Sequence, residues 1–165
     1  MVTKKVLTSE NKDLRLVSKE IQEDKINTPG IQVLISDLTE TMKLENGIGI
    51  AAPQVGIQKR VIIIDIGKGA KPYINPTIVS KSKKIIESEE GCLSVPGVFG
   101  MVDRSYTVTV EFKKDNGKPK KIKVKGLEAI VFQHEIDHLD GILFIDKVTR
   151  YTKPPKTGNA GEQRM

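Results

Sequence analysis

The stretch His134-Glu135-Ile136-Asp137-His138 places two imidazoles four residues apart with a carboxylate between them. On a helix, residues four apart lie one turn above each other on the same face, so both rings can reach one metal ion. Apolar residues on both sides recur at helical spacing on the histidine face, namely Leu127, Ile130, Val131 and Leu139. With Gly126 before it and Asp140-Gly141 after it, the pattern predicts a helix over 127–139 whose histidines face inward.

A metal held by this helix needs a further ligand, because two imidazoles leave a divalent ion under-coordinated. The chain has only two histidines, both in this stretch, and one cysteine, Cys92. Cys92 is therefore the first candidate for the third ligand. The alternative is that the imidazoles are ordinary core histidines and that Cys92 is a small buried apolar residue, since short motifs also occur by chance.

Length and cysteine content indicate one domain in a reducing compartment. At 165 residues, the chain is long enough for a single domain with its own core. A lone cysteine cannot close a disulfide within the chain. Residues 1–13 lack the apolar run of a signal peptide and include acidic residues, which argue against a transit peptide. No stretch is apolar enough to span a bilayer. We therefore expect a cytoplasmic protein with no membrane association.

The positive charge permits attraction to nucleic acid or to a ribosome surface but does not require it. The net charge is +6, and much of the excess lies in segments such as 121–125, where lysines alternate with apolar residues. That alternation is typical of the solvent side of a half-buried strand. The chain has no Trp and three Tyr, so aromatic platforms for stacking bases are scarce. We favour a solvated face and expect no DNA partner.

The remaining elements are a second helix and several short strands. Thr28 as N-cap, Pro29 at the first helical position and Asn46-Gly47 at the end predict a helix over 28–45. A weaker helix is predicted over 14–21. Short strands are predicted at 60–65, 73–74, 77–80, 85–86, 106–113, 120–125 and 142–145, and Asn116-Gly117 suits a hairpin turn. Such a mixture is typical of an α+β fold.

The C-terminal stretch differs from the rest of the chain. It is polar from Lys147, carries Pro154-Pro155 and shows no amphipathic period. We therefore predict a single domain over 1–148 and an extended or disordered tail over 149–165.

Three separate segments together resemble the motifs of the peptide deformylase family. They are Gly47-Ile48-Gly49-Ile50-Ala51-Ala52-Pro53-Gln54, Glu90-Gly91-Cys92-Leu93-Ser94 and Gln133-His134-Glu135-Ile136-Asp137-His138. Alone, the glycine-rich segment is typical of a packed loop. The three segments have the order and separations of the family motifs and include the only cysteine and both histidines, so a chance match of all three is improbable. The resemblance extends from the Thr28 helix to about Val148.

The resemblance implies a fold and a reaction for residues 1–148. The fold is antiparallel β-sheets wrapped around the central HExxH helix, with the 28–45 helix packed outside. The reaction is hydrolytic removal of the N-formyl group from the initiator methionine of new polypeptides, which releases formate. The implied metal ligands are Cys92, His134 and His138, which leave a fourth position for water. A metal-bound hydroxide would attack the formyl carbon, with Glu135 as general base and acid.

The resemblance also implies roles for the other two motifs. The Gln54 side-chain amide and the Leu93 backbone N–H would stabilise the oxyanion. Implied substrate-binding positions, with an apolar pocket for the methionine side chain, are Ile48, Gly49, Gly91, Leu127, Ile130 and Val131. The implied cofactor is one divalent metal ion per chain, Fe(2+), although the ligand set also suits Zn(2+), Ni(2+) or Co(2+).

Two other functions and one partner stay open from the sequence. An HExxH metallopeptidase would take a downstream His or Glu as third ligand, and the chain has no third histidine. A non-catalytic basic RNA-binding protein stabilised by a metal would need a closed site, and no fourth His or Cys exists. Some bacterial family members end in a longer helix thought to dock on the ribosome, which Pro154-Pro155 would interrupt here. Weak ribosome association through the basic residues Lys147, Arg150, Lys153 and Lys156 is a further hypothesis.

Overall fold

In the computed structural model of the protein, which describes residues 2–156, two antiparallel sheets surround one helix. The strands in chain order are β1 (Gly49–Ala51), β2 (Val61–Ile64), β3 (Lys71–Lys81), β4 (Ile85–Cys92), β5 (Val95–Ser105), β6 (Thr107–Lys113), β7 (Pro119–Lys125) and β8 (Val148–Lys153). The five-stranded sheet has the order β1-β2-β3-β6-β7, and the three-stranded sheet has the order β4-β5-β8. The α-helices are α1 (Glu23–Ile26), α2 (Pro29–Leu44) and α3 (Leu127–Leu139).

The central helix α3 has the bounds that its apolar spacing predicts. Gly126, with a φ of 62°, turns the chain from β7 into the helix, in a backbone conformation that glycine adopts without strain. The helix contacts strands of both sheets. Its buried residues lie on almost every side and include Phe132, Glu135 and His138. This burial explains why polar groups on α3 meet other protein groups rather than water.

Helix α2 packs outside the five-stranded sheet, as predicted. Thr28 has an extended backbone, Pro29 occupies the first helical position, and Asn46 leaves the helix with a φ of 56°. The apolar face of α2 packs on β2, whose residues are all buried. Ile62 and Ile64 of β2 face the α3 side of the sheet while Val61 and Ile63 face the α2 side. The unbroken apolar run of β2 thus follows from its being covered on both faces.

Several sequence-based predictions differ from the structure. The two strands predicted at 73–74 and 77–80 are one strand, β3, because Asn75-Pro76 forms a bulge with a register shift rather than a turn. Residues 142–145 do not form a strand. Leu143 and Phe144 are both fully buried, and the chain turns as a 3₁₀ helix over Phe144–Asp146.

The predicted helix at 14–21 is also absent. The chain instead forms a 3₁₀ turn over Lys12–Arg15, which is followed by extended backbone. Leu14 and Ile21 are buried against the domain, but the residues between them do not form the apolar stripe of a helix.

The predicted tail begins later than residue 149. Residues Val148–Lys153 form β8, which pairs with the Phe99–Val102 part of β5. The strand is polar because nearly all of it is exposed, so it lacks the apolar alternation on which the prediction depended. Backbone pairing with β5 holds it instead, and Arg150 and Thr152 reach across β5 to Glu87 and Glu89 of β4. Residues 154–156 have no regular structure, and the rest of the predicted tail, 157–165, lies outside the described residues.

No helix among residues 2–156 is both long and apolar enough to cross a membrane.

Candidate active site

The end of β4 and one face of α3 bring the three predicted ligands together. The ligand atoms of Cys92, His134 and His138 all lie within 4.8 Å of one another. Cys92 Sγ is 3.3 Å from His138 Nε2. The helical spacing therefore places both histidine rings on the face of α3 that meets Cys92. The β4–β5 hairpin supplies the sulfur atom, because α3 has no cysteine.

This cluster fits a divalent transition metal. Two imidazoles and one thiol are donors that zinc and iron-group ions accept, and three protein ligands leave one position open. Glu135 Oε2, beside the cluster, is buried without a hydrogen-bond partner among the described residues. Buried polar atoms without partners are rare and are concentrated where a ligand, ion or water binds. The cluster therefore has the donors of a metal site and an unsatisfied carboxylate oxygen beside it.

The electrostatics of the cluster favour the thiolate form of Cys92. Burial raises the pKa of the thiol, but the charges and hydrogen bonds of His138 and His134 outweigh burial, so that the pKa lies well below its ordinary value. Burial lowers the pKa of His134, but Cys92 and Glu90 raise it well above its ordinary value. Cysteine binds metals as the thiolate, so the lowered pKa of Cys92 suits a ligand role, whereas His134 must give up one ring proton to bind a metal.

A buried ion-pair network contacts the Nδ1 atom of His134. Glu90 Oε1 is 2.7 Å from His134 Nδ1. Arg104 donates to both oxygens of Glu90, at 2.7 and 2.8 Å, and to Asp137 Oδ2 at 2.7 Å. Burial raises the pKa of Glu90, but the hydrogen bonds from Arg104 and His134 bring it down to about 2. Glu90 is thus an ionised acceptor that orients the His134 ring.

Sequence reasoning gave neither Glu90 nor Arg104 a role. Glu90 stands two residues before Cys92 in a quoted motif, which is a signal that could have identified it. Arg104 carries no local signal, because only the fold of β5 brings it to Glu90.

Glu135 lies at the cluster in contact with the glycine-rich segment. It is buried, and a Cβ at Gly49 would overlap its carboxylate. Burial raises the pKa of Glu135, and the positive charges of His134 and His138 only partly offset that effect. Gly49 is therefore needed for the close packing of β1 on Glu135, in addition to its predicted place beside a peptide.

Gln54 reaches the cluster from the 3₁₀ turn Ala52–Val55, which follows β1. Its Oε1 accepts the Ala51 N–H at 2.8 Å, and its Nε2 donates to Ser94 Oγ at 3.1 Å. The same Nε2 is 3.6 Å from Cys92 Sγ. Leu93 lies between Cys92 and Ser94 in the turn from β4 to β5. The amide of Gln54 and the turn that carries Leu93 are therefore both next to the cluster.

A cavity of about 500 Å³ opens beside these groups. Its walls include every predicted substrate-binding position, namely Ile48, Gly49, Gly91, Leu127, Ile130 and Val131. They also include Gln54, Leu93, Cys92, His134 and Glu135. Phe99 was not predicted. It lines the cavity from β5, and its ring packs on Gly91, where any Cβ would overlap the ring.

Comparison with known proteins matches almost the whole chain to one family. The family model for polypeptide deformylase matches residues 3–154. The peptide deformylase of Acetivibrio thermocellus is 48% identical over 138 residues, which cover 84% of this chain and 79% of that protein. The peptide deformylase of Pelotomaculum thermopropionicum is 43% identical over 153 residues, covering 93% and 96%.

A solved structure shares the fold. The class I type b peptide deformylase from Acinetobacter baumannii, bound to Met-Ala-Ser, superposes with a TM-score of 0.86 at 34% identity. The match covers 89% of this chain and 99% of that chain. The chain therefore belongs to the polypeptide deformylase family.

Proposed function

We propose that the protein removes the N-formyl group from the initiator methionine of new polypeptides and releases formate. Membership of the polypeptide deformylase family makes it a hydrolase that acts on formylated peptides. The observation that carries the proposed mechanism is the convergence of Cys92, His134 and His138 within 4.8 Å, beside Glu135 and Gln54 at the wall of one cavity.

Cys92, His134 and His138 would hold one divalent metal ion. A metal bound there lowers the pKa of a water molecule from about 15.7 to roughly 7 and so supplies a nucleophile at neutral pH. The proposed ion is Fe(2+), which the family resemblance implies, and the same donors accept Zn(2+), Ni(2+) or Co(2+). A thiolate ligand needs a reducing compartment, which supports a location in the cytoplasm.

Glu135 moves the proton in this mechanism. It accepts the proton of the attacking water and returns it to the departing amine. Its oxygen Oε2 has no hydrogen-bond partner among the described residues, so it is free to take that proton. Burial raises the pKa of Glu135 towards the working pH, which suits a group that must both accept and release a proton.

Gln54 and the Leu93 backbone N–H stabilise the negative charge that develops on the formyl oxygen. The Gln54 amide is held by hydrogen bonds on both of its polar atoms, so it does not have to reorganise during the reaction. Removal of one such donor typically lowers kcat by about 10²–10³-fold.

The peptide lies extended between Gly49 and Gly91, and its methionine side chain enters the apolar part of the cavity. That part is formed by Ile48, Leu127, Ile130 and Val131, all of which line the cavity. The relative from A. baumannii is described as bound to Met-Ala-Ser, a peptide that begins with methionine. This supports methionine as the first residue of the substrate.

Weak ribosome association is a separate part of the proposal. Lys153 and Lys156 are exposed, whereas Lys147 and Arg150 are engaged with Asp137 and Glu87. A double variant, Lys153→Glu with Lys156→Glu, should therefore reduce co-sedimentation of the full chain with ribosomes at low salt. Equal co-sedimentation of this variant and of wild type would reject a contact through these lysines.

Formate release from a formyl-methionyl peptide tests the function. The protein is prepared anaerobically with ferrous iron or reconstituted with nickel, and Glu135→Gln is compared with Glu128→Gln, which lies elsewhere on α3. Wild type and Glu128→Gln should turn over. Glu135→Gln should keep its metal and lose roughly 10²–10⁴-fold in kcat. If metal-loaded wild type released no formate, the proposed function would be wrong.

A further inference from the structure

We infer that Ser94 is a positioning residue for this reaction, because its hydroxyl holds the Gln54 amide in the orientation that directs an N–H towards Cys92. Ser94 is fully buried, and its Oγ accepts from Gln54 Nε2 at 3.1 Å. The inference rests on the proposed function, in which Gln54 donates to the oxyanion. No role was assigned to the Ser94 side chain from the sequence, although Ser94 ends the second motif.

The Gln54 amide has only one orientation that satisfies its neighbours. Its Oε1 accepts the backbone N–H of Ala51 at 2.8 Å. A flipped amide would present its NH₂ group to that N–H, and two donors would then face each other. Because Gln54 is 1% exposed, water cannot relieve such a clash. Ala51 therefore decides which end of the amide carries the two N–H groups.

Ser94 then decides where those two N–H groups point. The terminal torsion of a glutamine side chain is intrinsically broad, so a bond to Oε1 alone leaves Nε2 free to swing. The bond to Ser94 Oγ uses one hydrogen of Nε2 and fixes the plane of the amide. The other hydrogen remains for the side of Cys92 Sγ, which lies 3.6 Å from Nε2. The second N–H therefore points to the cluster side of the amide, where the formyl oxygen is its acceptor in the proposed mechanism.

The N-terminal segment holds the backbones of both residues in place. The Leu7 N–H donates to the carbonyl of Gln54 at 2.7 Å, and the Ser9 N–H donates to the carbonyl of Ser94 at 2.8 Å. The two donors are two residues apart, so one short segment joins the turn after β1 to the turn after β4. With both backbones fixed, loss of the Ser94 hydroxyl should leave the main chain in place and release only the Gln54 side chain.

Ser94→Ala should therefore lower kcat more than it changes KM. We expect kcat to fall roughly 10-fold, since misplacement of a catalytic group by about 1 Å can cost up to 10²-fold. The loss cannot exceed that of Gln54→Ala, for which about 10²–10³-fold is expected, because Ser94 acts through Gln54. Ser18→Ala is the matched control. Ser18 is also buried and donates to a glutamine, Gln58 Oε1, at 3.2 Å, but Gln58, unlike Gln54, does not line the cavity. This control should keep wild-type kcat.

A double-mutant cycle separates positioning from general structural damage. In the Gln54→Ala background, adding Ser94→Ala should change kcat by less than about twofold, because coupled residues are not additive. Equal effects of Ser94→Ala in both backgrounds, or wild-type kcat in the single variant, would overturn the inference.

A measurement without turnover completes the test. In zinc-loaded protein, the side-chain NH₂ resonances of Gln54, assigned by their absence from Gln54→Ala, should shift in Ser94→Ala and not in Ser18→Ala. Unshifted resonances would overturn the inference. If wild type released no formate, the proposed function would fail, while these resonances would still show whether Ser94 holds Gln54.

Discussion

Glu90 Oε1 lies 2.7 Å from Nδ1 of His134 and fixes which nitrogen of that ring faces the candidate metal site. With a pKa of about 2, Glu90 is ionised at neutral pH and can only accept a hydrogen bond. His134 Nδ1 therefore carries the proton, and Nε2 is the nitrogen left for a metal. Arg104, which donates to both oxygens of Glu90, keeps the carboxylate in place.

We expect Glu90→Gln to weaken metal binding. The amide keeps an oxygen of similar size but loses the charge and one acceptor for Arg104, and loss of such an outer partner typically costs about 10–100-fold in metal affinity. Competition with a chelator on metal-loaded protein measures the affinity. Glu87→Gln is the control, because Glu87 also lies on β4 and pairs with an arginine, but at the surface. Equal affinities of the two variants would contradict this role for Glu90.

The contact between Gly49 and Glu135 gives a second prediction. Gly49→Ala adds a methyl group where the Glu135 carboxylate lies, so the carboxylate must move. Displacement of a catalytic group by about 1 Å can cost up to 10²-fold in rate. Gly49→Ala should thus lose kcat while retaining its metal, as measured by elemental analysis beside formate release. Gly30→Ala should be fully active, because a Cβ at Gly30 meets nothing within 4 Å. Unchanged kcat in Gly49→Ala would show that the Glu135 carboxylate tolerates the shift.

Local sequence signals identified the parts of the site that lie within one element or one motif. Helix α3 runs from Leu127 to Leu139 as its apolar spacing predicts, and the i, i+4 histidines share a face. Cys92 could be chosen because the chain offers no second cysteine and no third histidine. These inferences needed only helical geometry and residue counts.

Other parts of the site depend on strand pairing, which the sequence does not display. Arg104 meets Glu90 because β4 and β5 fold back on each other, and Phe99 covers Gly91 for the same reason. Strand β8 was not predicted, because an exposed polar strand has no apolar alternation. Ser94 was quoted as a motif residue, but its contact with Gln54 joins residues 40 positions apart.

The raised pKa of Glu135 predicts the pH dependence of catalysis. Burial raises this pKa above the ordinary value. A general base works only when deprotonated, so kcat/KM should begin to fall at a higher pH than for a solvent-exposed glutamate, whose pKa is about 4.3. The measurement is kcat/KM of nickel-loaded protein against pH, with metal content determined at each point. An acidic limb at or below the ordinary glutamate pKa, with metal retained, would contradict this expectation.

The exposed wall of the cavity predicts side-chain selectivity. Leu127 is 56% exposed although it lines the cavity, so a bound methionine side chain should cover it. Leu127→Ala removes apolar contact worth about 25 cal/mol per Å² of buried surface. It should therefore raise KM for formyl-methionyl peptides more than for formyl-alanyl peptides. Val79→Ala, an exposed apolar residue that does not line the cavity, should change neither. Equal effects of Leu127→Ala on both peptides would place the methionine elsewhere.

The ion pair between Arg15 and Asp146 predicts a pH dependence of stability away from the metal site. It joins the 3₁₀ turn Lys12–Arg15 to the 3₁₀ turn Phe144–Asp146. The hydrogen bond from Arg15 lowers the pKa of Asp146, outweighing burial, and the Leu143 N–H adds to the effect. A carboxyl group with a lowered folded-state pKa stabilises the fold above its unfolded-state pKa, and that contribution is lost as pH falls through the folded-state value.

Asp146→Asn should therefore have a lower Tm than wild type near neutral pH, and the difference should shrink below about pH 4, where an unfolded-state aspartate takes up its proton. Both side chains are more than a third exposed, so added salt should also reduce the difference. Wild type and variant share the same metal site, so loss of metal at low pH affects both alike. Asp103→Asn is the control, because Asp103 is exposed and has no ion-pair partner among the described residues. A Tm difference for Asp146→Asn that stayed constant with pH and salt would mean that Asp146 acts through the Leu143 N–H and not through its charge.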